Sequence, residues 1–471
     1  MKTTSRSLCV IVLLAVVMTA TLYAGGDKYS PRLVGMGRAF TALSRGLDAV
    51  GTNPANLALD DRNATFTLNI APVGFSIGSD LVNYKIYNDF FVGIPDPNDP
   101  NNRIGKPLSE QDKTEILGLF PEGIARTQLN LETAPVGFSL QIGSFGLAIV
   151  PSMKVASNID LSEGYLKFLL NGLDGSDRVY SFNGTAVKAS MMAEVNTSVA
   201  YVLPFSLPNV DEIAVGVGVK YLQGLGFTST EKYNASIGTV GQLYSGNGTS
   251  AYLPDTIKGS FDFVQLHAVM DPDDPQPVGS GMGFDFGVSA FIFDMVRVGA
   301  SITDIGSIKW DKRTKAVVGQ SSFAVDGLDQ SKDTVISQSF KGETRDTTAF
   351  EFDLPTAIHL GAEMRVDEVF DVIPFRWTIA MDGHFGLNEV AGNTKTPQFS
   401  FGTELDPLAG WLPLRTGFLI GGRERFAWSA GFGIHLLNTF DLDFATQSIA
   451  ILTNPDSFRT GSFTMGMRLR F

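Results

Sequence analysis

Cysteine is almost missing from this 471-residue chain; the single one, Cys9, lies at the start of an apolar run near the N-terminus. A disulfide framework is therefore excluded, and stability has to come from backbone pairing and packing. Basic residues are also in deficit, with 36 Lys and Arg against 49 Asp and Glu and a net charge of −13, a balance that argues against nucleic acid as a partner. Only four histidines are present and no nucleophile motif surrounds any serine, so little is on offer for hydrolysis. Beyond the first 24 residues no apolar stretch reaches the ~20 residues that a spanning helix needs. Any membrane span must then be built of strands, the other structure that satisfies every backbone group in lipid.

What is present begins with a leader. Lys2 and Arg6 precede an uninterrupted apolar run from Leu8 to Met18, followed by small and polar residues, the layout of a secretory signal peptide cut after Ala24. The alternative, a retained anchor, meets a run too short to span, and Cys9 stands at the start of the run where a lipoprotein cysteine would follow it. Losing Lys2 and Arg6 with residues 1–24 takes the net charge from −13 to −15.

Fifty glycines and thirty-five phenylalanines suit a barrel, glycine on crowded lumenal faces and in turns, phenylalanine against lipid. The last eleven residues carry the clearest pattern: Phe463, Met465, Met467, Leu469 and Phe471 alternate with Ser462, Thr464, Gly466, Arg468 and Arg470. About ten tilted residues cross the hydrocarbon, and a final Phe resembles the recognition signal of bacterial outer-membrane β-barrels. The same period of two recurs near Ala64–Ile77, Thr127–Ile142, Gly146–Ala156, Val195–Leu203, Ile213–Tyr221, Phe284–Ile292 and Val296–Ile302. It continues through Ile358–Arg365, Trp377–Phe385, Gln398–Leu405, Leu412–Ile420, Phe426–Leu436 and Thr439–Ala445. The reading is all-β: a transmembrane antiparallel up-and-down β-barrel of about fourteen strands over residues 63–471, its first strand pairing with its last. Length permits several soluble domains, and a secreted sandwich or propeller alternates likewise, but no linker is evident and neither accounts for the terminal Phe.

The interruptions read as extracellular loops: Ile94–Pro107, Asp271–Pro277 and the polar stretch Lys312–Thr348. Within the first long connection, Ser109–Leu119 has the serine start and early acids of a short helix. Asp96, Asn98 and Asp99 offer oxygens to calcium but lack the glycine and terminal Glu of a calcium loop, so a plain solvated loop is the simpler reading and no metal or cofactor is expected. The shared hexapeptide Ala-Pro-Val-Gly-Phe-Ser at 71–76 and 134–139 is either a duplicated hairpin or coincidence.

Residues 25–62, between leader and barrel, are not strand-like. Gly35, Gly37, Ala39, Ala42 and Gly46 let this backbone lie close to other walls, and Asn53-Pro54-Ala55 forms an asparagine-capped turn. An inward-folded plug is the expected role; a periplasmic extension tucked under the barrel is the plainer one. The run Gly35-Met36-Gly37-x-Ala39-Phe40 followed by Asn53-Pro54-Ala55 resembles the N-terminus of the FadL-type long-chain fatty-acid transporters and of PorV-like barrels. That resemblance extends loosely through Gly283–Trp310 and the strands after Pro355; Asn56 stands where that group has Gly. It implies a plugged fourteen-stranded barrel in the outer membrane of a Gram-negative-type bacterium, surrounded by membrane lipid. On the FadL side it implies passage of hydrophobic, fatty-acid-like small molecules, with Gly35, Gly37, Phe40, Asn53, Pro54 and Ala55 as plug and ligand residues. On the PorV side it implies a partner among secretion-system or envelope-assembly proteins.

Phe40, Phe66 and Phe75 are candidates to line the way in, against the alternatives of a packing anchor for Phe40 and lipid or core contact for the other two. Asp285, Arg297, Asp382, His384, Glu404 and Arg415, with Asp441 and Asp443, share the expected lumenal side, either setting selectivity or pairing across the lumen. A lipid hydrolase built on Asp382, His384 and Ser400 is the rival from another class; without a nucleophile motif the chain reads as no enzyme.

Overall fold

The computed structural model describes residues 30–471 apart from 82–87, 89–91, 98, 174–177, 247–248, 294, 327–341, 371, 409, 437–438, 448, 450–451 and 453–458. The expected leader, and Asn98 of the calcium reading, lie outside the described residues.

Fourteen antiparallel strands close into one barrel. They are β1 (Phe66–Ser79), β2 (Ile124–Thr133 continued by Val136–Ile142), β3 (Phe145–Ser162), β4 (Ala186–Val202), β5 (Val210–Gly246), β6 (Gly279–Ile292) and β7 (Val296–Trp310). There follow β8 (Phe350–Asp353 continued by Ala357–Arg365), β9 (Arg376–Gly386), β10 (Gln398–Asp406), β11 (Leu414–Gly421), β12 (Arg425–Leu436), β13 (Phe440–Thr446) and β14 (Thr460–Arg470). Each pairs with its successor, and β14 returns to β1 from Thr67↔Arg470 to Gly78↔Thr460, as the terminal alternation predicts. The seam leaves the barrel wall itself without an edge strand to template aggregation. Its one irregularity, between Ile70 and Val73, falls at Pro72, which has no N–H to give the ladder.

The alternation becomes two surfaces. On β14, Phe463 is 52 % exposed and Arg468 only 8 %, and the same split places Val217, Phe286, Phe401, Phe418 and Phe432 outside. An apolar outer wall over a polar inner one is the membrane-barrel pattern, the reverse of a water-soluble barrel. Phe66 and Phe75 belong to this outer surface: Phe66 lies against Phe138 and Phe471, and Phe75 is 37 % exposed opposite Phe463. They do not line a way in, because Thr67 and Ser76 take the lumenal positions beside them.

Turns are short at the end where β1 begins and β14 finishes. Gly143-Ser144 alone joins β2 to β3, with Gly143 at φ 57, a left-handed conformation that glycine adopts without strain. At the other end most connections are long, as the polar interruptions suggest, the 422–424 turn between β11 and β12 being an exception. One carries the helix Glu110–Leu117, started by the capping box of Ser109 and Asp112. The Lys312–Thr348 reading needs correction. Thr314–Asp326 is a strand, paired with Thr249–Val269, which in turn pairs with the outer half of the 37-residue β5. This sheet rises beyond the barrel; with little apolar alternation on either face, its sequence resembles a loop.

Candidate functional site

The lumen is filled from within. Residues 30–59 are buried almost throughout, although they form only one short helix and two 3-10 turns. Ser30 caps the helix Pro31–Gly35 by accepting from the Leu33 amide at 3.3 Å, and the Asn53 carboxamide accepts from Ala55 N at 3.2 Å. Leu33, Val34, Met36, Ala39, Phe40 and Leu43 form one apolar cluster, with Ala380 and Ala445 of the wall.

Glycines of the wall let this backbone come close. A methyl group on Gly402 or Gly417 would collide with Met36, one on Gly287 or Gly216 with the Asn53–Ala55 turn, and one on Gly299 or Gly361 with Thr41 and Ala42. Here lies the physical reason for so many glycines on the inward face.

Polar contacts then hold the segment at defined points. Arg32 donates to both oxygens of Glu404 at 3.0 and 2.8 Å, and Glu404 also accepts from Arg415, which reaches Asp443 at 2.5 Å. Arg45 meets Glu363 at 2.5 Å, Arg468 forks onto Asp48, and Arg470 pairs with Asp61. The buried Arg32 guanidinium would be lowered by desolvation, but the charge of Glu404 beside it wins and raises its pKa. Burial likewise pushes Asp61 upward, and Arg470 with Arg468 outweighs it, holding the carboxyl below its usual range. Asp382 accepts from the amides of Phe40 and Thr41 at 3.1 and 2.6 Å. Asn53 Nδ2 donates to Thr41 O and to Val288 O on β6, both at 3.2 Å. Asn56 donates to Thr41 O and Ser44 Oγ at 2.9 Å each, bonds that a glycine there lacks.

All six lumenal candidates thus face inward, but they do not form one site. Glu404 and Asp382 grip the N-terminal segment, and Arg415 bridges Glu404 to Asp443 on the wall. Arg297 pairs with Glu212 at 2.5 Å and lies 3.6 Å from Glu363. Asp285 joins Lys220 and Asp304 in a buried wall cluster, at 2.9 Å from the Lys220 ammonium. His384 packs edge-on against His359 at 4.7 Å between ring centroids. Ser400 stands opposite Asp382 in register, and no hydrogen bond joins it to His384 among the described residues. Sequence reasoning missed Asp48 and Asp61, whose signal was an isolated acid within an otherwise small and apolar run.

Above the segment, residues 387–397 between β9 and β10 fold inward. Asn158 of β3 donates to Val390 O at 3.0 Å and Lys188 of β4 to Glu389 O at 2.6 Å, while Asn388 and Asn393 bond Leu354 O and Thr356 O. Because β3 and β10 stand on opposite sides of the ring, this connection crosses the lumen. On its outer side lies a cavity of about 240 Å³, lined by the apolar Met192, Phe227, Ile308, Trp310, Phe352 and Leu354 together with the polar Lys188, Ser190, Thr228, Ser229, Glu231 and Glu389. On its inner side lies a smaller polar one of about 60 Å³, bounded by Phe40, Thr52, Asp304, His359, His384 and Ser400. Pro355 borders both. A wider concavity of about 430 Å³, by Met381, Phe401 and Phe418, opens on the outer wall toward lipid.

A closed wall, apolar outside and polar within, defines an outer-membrane β-barrel. The chain belongs to the family described as a family of unknown function (DUF5723), whose profile matches residues 54–440. No curated protein matches it. Among solved structures it is similar to the toluene transporter TodX of Pseudomonas putida, at 11 % identity and TM-score 0.45 over 95 % of this chain and 98 % of that one. A Pseudomonas aeruginosa FadL homologue is similar at 11 % identity and TM-score 0.44, over 95 % and 100 % of the two chains. The translocator domain of the autotransporter NalP from Neisseria meningitidis is similar at 8 % identity and TM-score 0.35, over 88 % and 92 %.

Proposed function

We propose that this protein admits small hydrophobic molecules across the outer membrane, with residues 30–61 as a plug that moves to let them pass. The observation that carries this reading is the cavity of about 240 Å³ inside the barrel, on the side away from the chain termini, in which the apolar cluster of Met192, Phe227, Ile308, Trp310 and Leu354 lies beside a polar rim that includes Lys188, Glu231 and Glu389. An engineered apolar cavity of roughly 150 Å³ suffices for benzene, so this one takes a substituted single ring or part of an alkyl chain. Removing such a molecule from water gains about 25 cal/mol for each Å² of apolar surface buried. A filled lumen meanwhile denies ions a standing water path. The contacts of the plug are ion pairs and hydrogen bonds at separate points on a glycine-lined wall, which suits displacement as a unit.

Uptake of labelled hydrophobic compounds by cells with and without the gene tests the reading, and faster uptake with the gene is expected. Unchanged uptake, together with a secretion-system protein that co-purifies, would overturn it.

A further inference from the structure

The inner cavity is bordered by a buried polar group of the plug itself. Thr52, from the plug, is 5 % exposed, and its Oγ1 has no hydrogen-bond partner among the described residues. A buried hydroxyl left in that state bears an uncompensated desolvation cost. Around it stand the Ser400 hydroxyl, the His359 and His384 imidazoles and the Asp304 and Asp382 carboxylates. Both carboxylates are engaged, Asp304 with Lys220 at 2.6 Å and Asp382 with the Phe40 and Thr41 amides. Arg38, the guanidinium on this wall, lies 3.3 Å from Glu424 and 3.5 Å from Gln447. An anionic ligand group would therefore face two carboxylates and a cation already committed elsewhere, while a cationic one would have to shed its water inside an enclosed space. An uncharged donor and acceptor meets neither penalty.

We propose that this inner cavity seats one uncharged hydrogen-bonding group, so that the permeant is a small apolar body carrying a hydroxyl, of the alkylphenol kind. The ring or alkyl part occupies the outer cavity, and the hydroxyl passes Pro355 to reach Thr52 and Ser400. This rests on the transport reading above and narrows its substrate class.

Trp310 lines the outer cavity, so its fluorescence reports occupancy, and a Trp310→Phe variant subtracts the other tryptophans of the full-length protein in detergent. Four probes of matched size are titrated: ethylbenzene, para-ethylphenol, para-ethylbenzoate and para-ethylbenzylamine, each corrected for micelle partition. The phenol is expected to bind roughly fivefold or more tightly than ethylbenzene, with the two ions weakest. Thr52→Val, which removes a hydroxyl with no hydrogen-bond partner among the described residues and so spares the fold, should erase that advantage and leave ethylbenzene unchanged. Equal affinity for phenol and hydrocarbon, an ion as the tightest ligand, or an advantage that survives in Thr52→Val would each overturn the proposal while leaving the transport reading in place. Failure of all four probes to change Trp310 fluorescence would remove both.

Discussion

Arg468, three residues from the C-terminus, donates both terminal nitrogens to Asp48 of the lumenal segment, at 2.8 and 2.5 Å. Both side chains are at least nine-tenths buried. Arg468→Ala takes from the buried Asp48 its forked cation, a change that costs about 3–5 kcal/mol. A fall in the melting temperature of the detergent-solubilised protein is expected, and a Lys substitution should recover only part of it because it lacks the fork. A melt that matches the parent would show that the pair contributes nothing.

The glycine wall makes a different demand. At Gly417 any side chain runs into Met36 and Gly37, so Gly417→Val should push the segment off the wall while Leu419 and Phe418 keep their places on β11. In planar bilayers the variant should conduct ions where the parent is nearly closed. Parent-like conductance from a correctly folded variant would mean that the segment is not what closes the lumen.

Acid should release the segment late. The folded Asp61 pKa is lowered, since the positive charge of Arg470 outweighs burial. A carboxyl depressed in the folded state contributes stability that is complete above its unfolded value, about 3.9, and lost as pH falls through the lower folded value. Conductance should accordingly stay low from pH 7 to the ordinary carboxylate range and rise only below it. A rise already between pH 6 and 5 would place the controlling group elsewhere.

Asn56→Gly removes the donors to Thr41 O and Ser44 Oγ that tie the two halves of the segment together. A buried acceptor left unmade costs about 1–3 kcal/mol, so proteolysis within residues 30–61 should speed up in this variant. Unchanged cleavage would show that the turn holds without those bonds.

Much of the wall was legible beforehand because lipid on one side and a crowded lumen on the other force a period of two, and Phe463 to Phe471 obey it without a slip. The closing pair of Phe471 with Phe66, N to O at 2.9 and 2.8 Å, followed from the same reasoning. The sheet built on β5 was not legible, because a strand outside the bilayer need not keep an apolar face, and Lys312–Thr348 shows none. The candidate site was read only in part. Small residues at Gly35 and Gly37 announced close packing, but which wall they meet is a matter of contacts across hundreds of residues, as between Arg32 and Glu404. The inward fold of 387–397 depends on Asn158 and Lys188 far earlier in the chain, and no local pattern announces it.

The seam between β1 and β14 also bears on how the protein reaches its membrane. Arg468 and Arg470 sit on the very strand that shuts the cylinder, and their counter-charges, Asp48 and Asp61, lie inside it. A wall that shut first would strand two guanidinium groups in a dry interior and then have to swallow some thirty residues through its mouth. Wrapping is the cheaper order: the segment settles against the early strands and the final one zips over it. A cell inserting this protein would then never expose an unguarded hole in its own permeability barrier.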